Sequence, residues 1–211
     1  MPPDPRINPR IELADHPDRL RWNDRYAGRE ADFTPHPLAV TALALLTKGP
    51  PTGLPVLELA SGPSGSTLLA AELGWRVTAV DVSDVGLEQL ATEARRRRLG
   101  TAVTVVQADV TTWTASRARY SYSLVLCTGY WDQAAFLAAV AAVAPGGLLA
   151  WEALTAQARE LRPGLPAAWC LGPGEPAALL PASFAVLEQE DLPGHGGLPR
   201  RRMLARNSAE T

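Results

Sequence analysis

Apolar residues along this chain fall in short unbroken runs, separated by longer stretches in which they recur every three or four positions. Short runs bounded by turn-forming residues read as buried strands, and the wider spacing reads as one face of a helix. Five runs are of the first kind: Val56 to Leu59, Arg76 to Val82, Ala102 to Val110, Ser123 to Thr128 and Leu148 to Leu154. Between them, TLLAAELG stops at Gly74, and a stretch capped by Ser83 places Val85, Leu87, Leu90 and Ala94 on roughly one face before ending near Gly100. A third helix, about Asp132 to Val143, is closed by Pro145-Gly146-Gly147. Strands alternating with helices predict a doubly wound α/β fold, a parallel sheet covered on both faces.

Both ends of the chain break this alternation. Residues 1 to 50 read as an arm followed by a helix, roughly Pro37 to Leu46, ahead of a main domain at 51 to 211. Near the other end, Gly172 to Leu180 has room for only a short helix. FAVLEQEDL and RRMLAR then read as strands joined by the turn Pro193 to Pro199, a pair expected to run antiparallel at the sheet edge.

Composition narrows the function classes. With 46% apolar and 20% charged residues, 211 residues can bury a sizeable core. A net charge of −2 argues against nucleic acid or an anionic membrane as partner, and Arg95 to Arg98 reads as a solvated helix end. The most apolar stretch, Ala134 to Ala144, is too short to span a bilayer, and MPPDPRINPR lacks the apolar run of a signal peptide. Two cysteines, Cys127 and Cys170, make neither a zinc cluster nor a disulfide framework, so a cytoplasmic protein without metal is expected. Cys127 reads as a buried structural residue. The single lysine, Lys48, lies between Thr47 and Gly49, which excludes a P-loop.

In open parallel sheets, ligands bind beyond the carboxyl ends of the strands. The first strand ends in Glu58 and then Ala60-Ser61-Gly62-Pro63-Ser64-Gly65, small residues that let backbone approach a ligand. Asp81, at the second tip, is placed to accept both hydroxyls of a ribose. Asp109, at the third, suits the amine of adenine, with Val82 and Val110 flanking the ring. A simpler role for Asp109 is to cap the turn at Thr111. Cys127 to Asp132 follow the fourth strand. Together these features describe an adenosine site with little provision for phosphate.

At this point the chain resembles the class I S-adenosylmethionine-dependent methyltransferases, particularly small bacterial members similar to the tellurite-resistance group. The resemblance rests on VLELASGPSGS, WRVTAVDVSDVGLEQL, VQADV, YSLVLCTGY and APGGLLAWEAL, about Val56 to Leu154. The lead-in RWNDRYAGREADFTPHPL and the tail GPGEPAALLPASFAVLEQED are also similar. The resemblance implies a Rossmann-like seven-stranded sheet of order 3-2-1-4-5-7-6 with the last strand antiparallel. It implies S-adenosyl-L-methionine as cofactor and S-adenosyl-L-homocysteine as product. Glu58 and Ala60 to Gly65 would then lie at the cofactor's amino-acid half, Asp81 at the ribose, Asp109 at the adenine amine and Cys127 near the methionyl group. The family loop usually has glycine where this chain has Ala60 and Ser64, and relatives often carry Arg-Asn where it has Gly65-Ser66. Ala60 and Ser64 are small enough for close approach provided φ stays negative.

Methyl transfer needs alignment and exclusion of water more than a dedicated base. Trp22, Tyr26, Tyr130 and Trp131 are the aromatics nearest the implied cofactor, and the amino-terminal arm is expected to fold over it as a lid. His36 is the best-placed imidazole for proton abstraction, Tyr26 a further catalytic candidate and His195 the second imidazole. Tyr130, Trp131, Trp151 and Glu152 sit where a small-molecule acceptor approaches. Trp113, Trp169 and, as the simpler reading, Trp151 are packing residues, and the chain is expected to be a monomer or homodimer. Two rivals remain open. One is a protein that binds the cofactor without catalysis. The other is an NAD-dependent oxidoreductase, which Asp81 would suit but which lacks Gly-x-Gly-x-x-Gly and a Tyr–Lys pair at Lys48.

Overall fold

In this computed structural model, residues 11–46, 53–115, 119–193 and 197–209 are described; Lys48 and His195 lie outside them. The apolar runs form the strands β1 (Val56–Leu59), β2 (Val77–Asp81), β3 (Val103–Gln107), β4 (Tyr122–Thr128) and β5 (Val143–Leu154). β6 (Phe184–Pro193) and β7 (Pro199–Asn207) complete a sheet of order β3-β2-β1-β4-β5-β7-β6. The first five pair in parallel, and β7 runs antiparallel to both β5 and β6. This is the Rossmann-like doubly wound α/β architecture with an antiparallel edge.

Because side chains alternate across a pleat, register decides which residues share a face. Leu57, Val125, Leu149 and Trp151 face α5 (Val110–Ala115) and α6 (Gln133–Ala142), where they pack with Trp113, Phe136 and Val140. Val56, Leu124, Leu126, Leu148, Ala150 and Leu204 face α2 (Pro37–Leu46), α3 (Gly65–Glu72) and α4 (Asp84–Arg96). The same parity carries Glu58, Asp81, Glu152 and Arg200 to that second face, at the carboxyl edge of the parallel strands. α2 buries Leu38, Ala39, Ala42, Leu43 and Leu46 in this core, so it is part of the domain's body.

Four local features differ from the sequence expectation. The arm contains α1 (Pro17–Ala27), an 11-residue helix with no buried residue, held by side-chain bonds to α4. The third strand stops at Gln107; Asp109 Oδ1 accepts from Thr112 N at 2.9 Å, and Val110 starts α5. β5 begins at Val143 and runs through Pro145-Gly146-Gly147, with a register shift against β4 between Tyr122 and Leu124. The segment after β5 holds a four-residue helix, Ala158–Leu161, and two single 3₁₀ turns, at Ala167–Trp169 and Ala177–Leu179. At the end of α4, Arg95 pairs with Glu88, Arg96 with Glu93, and Arg97 with Glu93 and Glu72. No helix among the described residues is long and apolar enough to cross a membrane.

Candidate active site

The loop leaving β1 is organised around a buried carboxylate. Glu58 accepts from Ser64 Oγ at 2.8 Å and from Thr67 Oγ1 at 2.5 Å, and Ser64 Oγ in turn accepts from the Ser66 and Thr67 amides to cap α3. Glu58 therefore holds the loop's shape rather than facing a ligand. Burial pushes its carboxyl up to about 7, although the two hydroxyls pull the other way. Gly62 has φ +53, and a Cβ there would collide with the Tyr26 phenol; one at Gly65 would collide with the Phe33 carbonyl. Ala60 has φ +49, against the expectation of a negative value. The turn after β1 demands the left-handed region whatever residue occupies it, whereas Ser64 keeps an ordinary φ of −91. Ser61 Oγ is buried and has no hydrogen-bond partner among the described residues.

Asp81 closes β2 beside this loop. One oxygen accepts from Gly62 N at 2.8 Å and the other from Ser83 N at 2.7 Å, which leaves each oxygen a further lone pair. Burial raises its carboxyl to about 6, with the Ser83 and Gly62 amides opposing. Val82, next in the chain, is half-buried, and its carbonyl accepts from Gln107 Nε2. Asp109 spends Oδ1 on the Thr112 amide and hydroxyl, and its Oδ2 lies 3.8 Å from His16 Nε2. Capping thus uses one oxygen of this carboxylate and leaves the other to face His16. Val110 is buried in the core cluster that holds Trp113.

α1 lies over these tips. Arg19 and Asn23 bond Asp84, and Asn23 also accepts from Ser83 Oγ at 2.6 Å. Tyr26 wedges against Gly62 and Gly86, and burial with Asp81 nearby pushes its phenol above the ordinary tyrosine range. Tyr26 is therefore a poor base and a ready hydrogen-bond donor. Trp22 stacks on Tyr26 at 5.6 Å, with the guanidinium groups of Arg21 and Arg25 over its ring at 5.5 and 5.2 Å. Its cation-binding face is thus engaged by the chain's own arginines. Arg21 also lies 4.5 Å from the ring of Trp169, which is partly exposed and bridges to the arm rather than packing in the core.

A second cluster forms at the tips of β4, β5 and β7. His36 caps α2; its Nδ1 accepts from Leu38 N, which leaves the ring proton on Nε2, 3.4 Å from Glu152 Oε2. Arg200 approaches the other oxygen of Glu152 at 3.8 Å. Burial pushes the Glu152 carboxyl up, but His36, Arg200 and Arg202 outweigh burial and hold it below the usual range. His36 and Tyr26 thus lie in separate clusters. Tyr130 Oη pairs with Thr111 Oγ1 at 3.1 Å, and burial pushes this phenol up to about 12.

Trp131 and Trp151 do not present a face to an acceptor. Both are buried, edge-to-face with each other; Phe136 meets Trp151 edge-on and Trp131 at a tilt, because the pleat turns Trp151, and the loop after β4 turns Trp131, into the α5–α6 core. Trp151 Nε1 holds the Tyr130 carbonyl at 3.0 Å, and the wholly buried Cys127 thiol donates to the same oxygen at 3.8 Å. Burial raises the Cys127 thiol well above the ordinary value, so it is structural, not nucleophilic. His16, Asn23 and Arg200 join the clusters without having been read from sequence. Among the described residues, no group of three or more His, Cys, Asp or Glu side chains could hold a metal ion.

Residues 56–147 match the family model described as a methyltransferase domain. The match spans β1 to the start of β5, including both acidic tips and the intervening loop. No curated protein matches the chain in sequence. Among solved structures, TehB from Haemophilus influenzae is similar at 16% identity over 88% of this chain and 66% of that one, with a TM-score of 0.67. The Burkholderia thailandensis 1,6-didemethyltoxoflavin-N1-methyltransferase, solved with 1,6-didemethyltoxoflavin and S-adenosylhomocysteine, is 22% identical over 90% and 87%, with a TM-score of 0.62. The magnesium protoporphyrin IX methyltransferase of Synechocystis PCC 6803, solved with S-adenosylhomocysteine, is 16% identical over 90% and 98%, with a TM-score of 0.67. At these identities the likeness establishes a common fold.

Proposed function

We propose that this protein transfers a methyl group from S-adenosyl-L-methionine to a small-molecule acceptor. The observation that carries the reading is Asp81, a buried carboxylate fixed at the second strand tip by two backbone amides and still able to accept from a ribose diol. The donor set fits the rest of the nucleoside: Asp109 Oδ2 for the adenine amine, and the orphaned Ser61 Oγ in the loop that would meet the amino-acid end. Glu58 acts on that end only through Ser64 and Thr67. A small-molecule acceptor is supported by the ion pairs that tie Arg95, Arg96 and Arg97 to glutamates.

When bound, the cofactor supplies a methyl carbon activated by its sulfonium. The chain's own residues orient and enclose. α1 covers the adenosine half through Tyr26, Asn23 and Arg19 and acts as the lid, while His36, Glu152 and Arg200 face the acceptor half. His36 is a donor in this arrangement and takes a proton at Nδ1 only by releasing Leu38 N. A second reading, cofactor binding without transfer, draws on the Tyr26 wedge over Gly62. A cytoplasmic protein related to the tellurite-resistance group is consistent with either reading.

Calorimetry with S-adenosylmethionine, S-adenosylhomocysteine and NAD tests the proposal. Binding of the first two and not of NAD is expected, with weaker binding by a chain lacking residues 1–35. Preference for NAD would overturn the reading. Tight binding with no methyl transfer to any of a broad acceptor panel would favour the second one.

A further inference from the structure

Three consecutive arginines open β7, and the antiparallel pairing of β7 with β5 sets them beside the carboxyl tips. Two of them are spent. Arg201 forks onto Asp191 at 2.5 and 2.9 Å and donates to the Glu175 carbonyl at 3.0 Å. Arg202 bonds Glu188 at 3.1 Å and also meets Glu190. Arg200 is different. Its Nε is buried with no hydrogen-bond partner among the described residues. Its only carboxylate neighbour in the described structure, Glu152, stands at 3.8 Å, beyond hydrogen-bond distance, and that carboxylate is shared with His36.

Position explains what this unspent fork faces. Arg200 Nη1 lies 3.6 Å from where a Cβ on Gly129 would be, so the guanidinium reaches over the turn that leaves β4 and toward the tip of β5. A planar guanidinium with open N–H directions matches a carboxylate in two parallel bonds, a fit that a lysine could not reproduce. Glu152 alongside it accepts hydrogen bonds only, so it suits an O–H or N–H on the same ligand.

Resting on the methyl-transfer reading above, we propose that Arg200 binds the carboxylate of the acceptor, which is a small hydroxy- or amino-carboxylic acid whose O–H or N–H is received by Glu152. The arginine sets specificity and takes no part in the bond changes. Methyl passes to the oxygen or nitrogen that Glu152 orients, the carbon–sulfur bond breaks with its electron pair left on sulfur, and the acceptor's proton leaves to solvent.

The test uses hydroxybenzoates, aminobenzoates and short aliphatic hydroxy acids, each beside its uncharged primary amide, with S-adenosylhomocysteine formation as readout. Turnover confined to the acids is expected. Arg200→Leu should lower kcat/KM for the acids by about 10- to 100-fold, mainly through KM, and Arg200→Lys should restore part of it. S-adenosylhomocysteine affinity and the thermal midpoint, measured on both variants, should stay at the wild-type values, which separates lost recognition from lost folding. Amides turned over as well as the acids, acid turnover unaffected by Arg200→Leu, or no acid methylated by a protein that binds the cofactor would each overturn the proposal. Wild-type protein that fails to bind S-adenosylhomocysteine would instead overturn the methyl-transfer reading itself.

Discussion

Two sets of buried carboxylates sit at the same edge of the sheet and have opposite electrostatics. Over β1 and β2, Glu58 and Asp81 are held mainly by hydroxyls and backbone amides, with His36 a smaller influence on Glu58, and these do not offset burial, so both carboxyls are raised, to about 7 and about 6. Over β5, Glu152 is buried less completely and meets His36, Arg200 and Arg202, and it is lowered. Neutral donors leave a site with surplus acceptor capacity, suited to hydroxyls, amines and a sulfonium. The arginines beside Glu152 leave a site suited to an acid. One strand edge thus carries two carboxylate clusters of different electrostatics, divided by β4.

The most severe way to break this contrast is Asp81→Asn. The amide keeps one acceptor oxygen for two backbone donors and adds an N–H where ribose hydroxyls would donate. S-adenosylhomocysteine affinity should fall about 100-fold, about 3 kcal/mol, in calorimetry. Wild-type affinity should also weaken as pH drops below about 6, where Asp81 takes up a proton. A variant that binds like wild type would separate Asp81 from the cofactor.

Glu58→Gln probes the same half through stability. The folded carboxyl is raised to about 7 from an ordinary 4.5, so between those values the folded state holds the proton more tightly than the unfolded chain. Glu58 therefore favours folding at low pH, and this contribution is lost as pH rises through that window. Asp81 acts in the same direction from about 4 to 6. Urea unfolding of the wild type at pH 5 and pH 8 should show this decline, and Glu58→Gln should remove about 2 kcal/mol of it. Parallel profiles for the two proteins would show that Glu58 is ionised throughout. Removing Glu152 should leave this decline in place, because its carboxyl is held below the ordinary value and titrates below that window.

Much of this contrast was legible in residue order. The alternation of short apolar runs with helical stretches locates β1 to β5, and the family resemblance supplies the strand order. Asp81 and Glu58 could be placed because a strand's carboxyl tip is a local feature. Contacts that depend on distant pairing were not legible. α1 is too polar to bury any residue, and its bonds to Ser83 and Asp84 cross about 60 positions of chain. Arg200 reaches Glu152 only because β7 returns antiparallel beside β5. Trp131 misled for a related reason: proximity to a strand tip says nothing about facing, which the turn decides; Trp151 is buried, as its packing reading implied.

The smallest effects lie within the β1 loop itself, where the two departures from the family's glycines are not equivalent. Ala60 has φ +49, a conformation costing an alanine roughly 1 kcal/mol or more that glycine avoids. Glycine's greater freedom in the unfolded chain returns part of that gain, so Ala60→Gly should stabilise by about 0.5 kcal/mol. Ser64 has ordinary backbone geometry, and its hydroxyl caps α3 while donating to Glu58. Ser64→Gly leaves a buried carboxylate short of a donor as well as an uncapped helix, and should destabilise by about 1 kcal/mol or more. Opposite shifts of the thermal midpoint are therefore expected from two changes that both bring the loop closer to the family pattern. Shifts of the same sign would mean that Ala60 is relaxed, or that Glu58 is satisfied without Ser64.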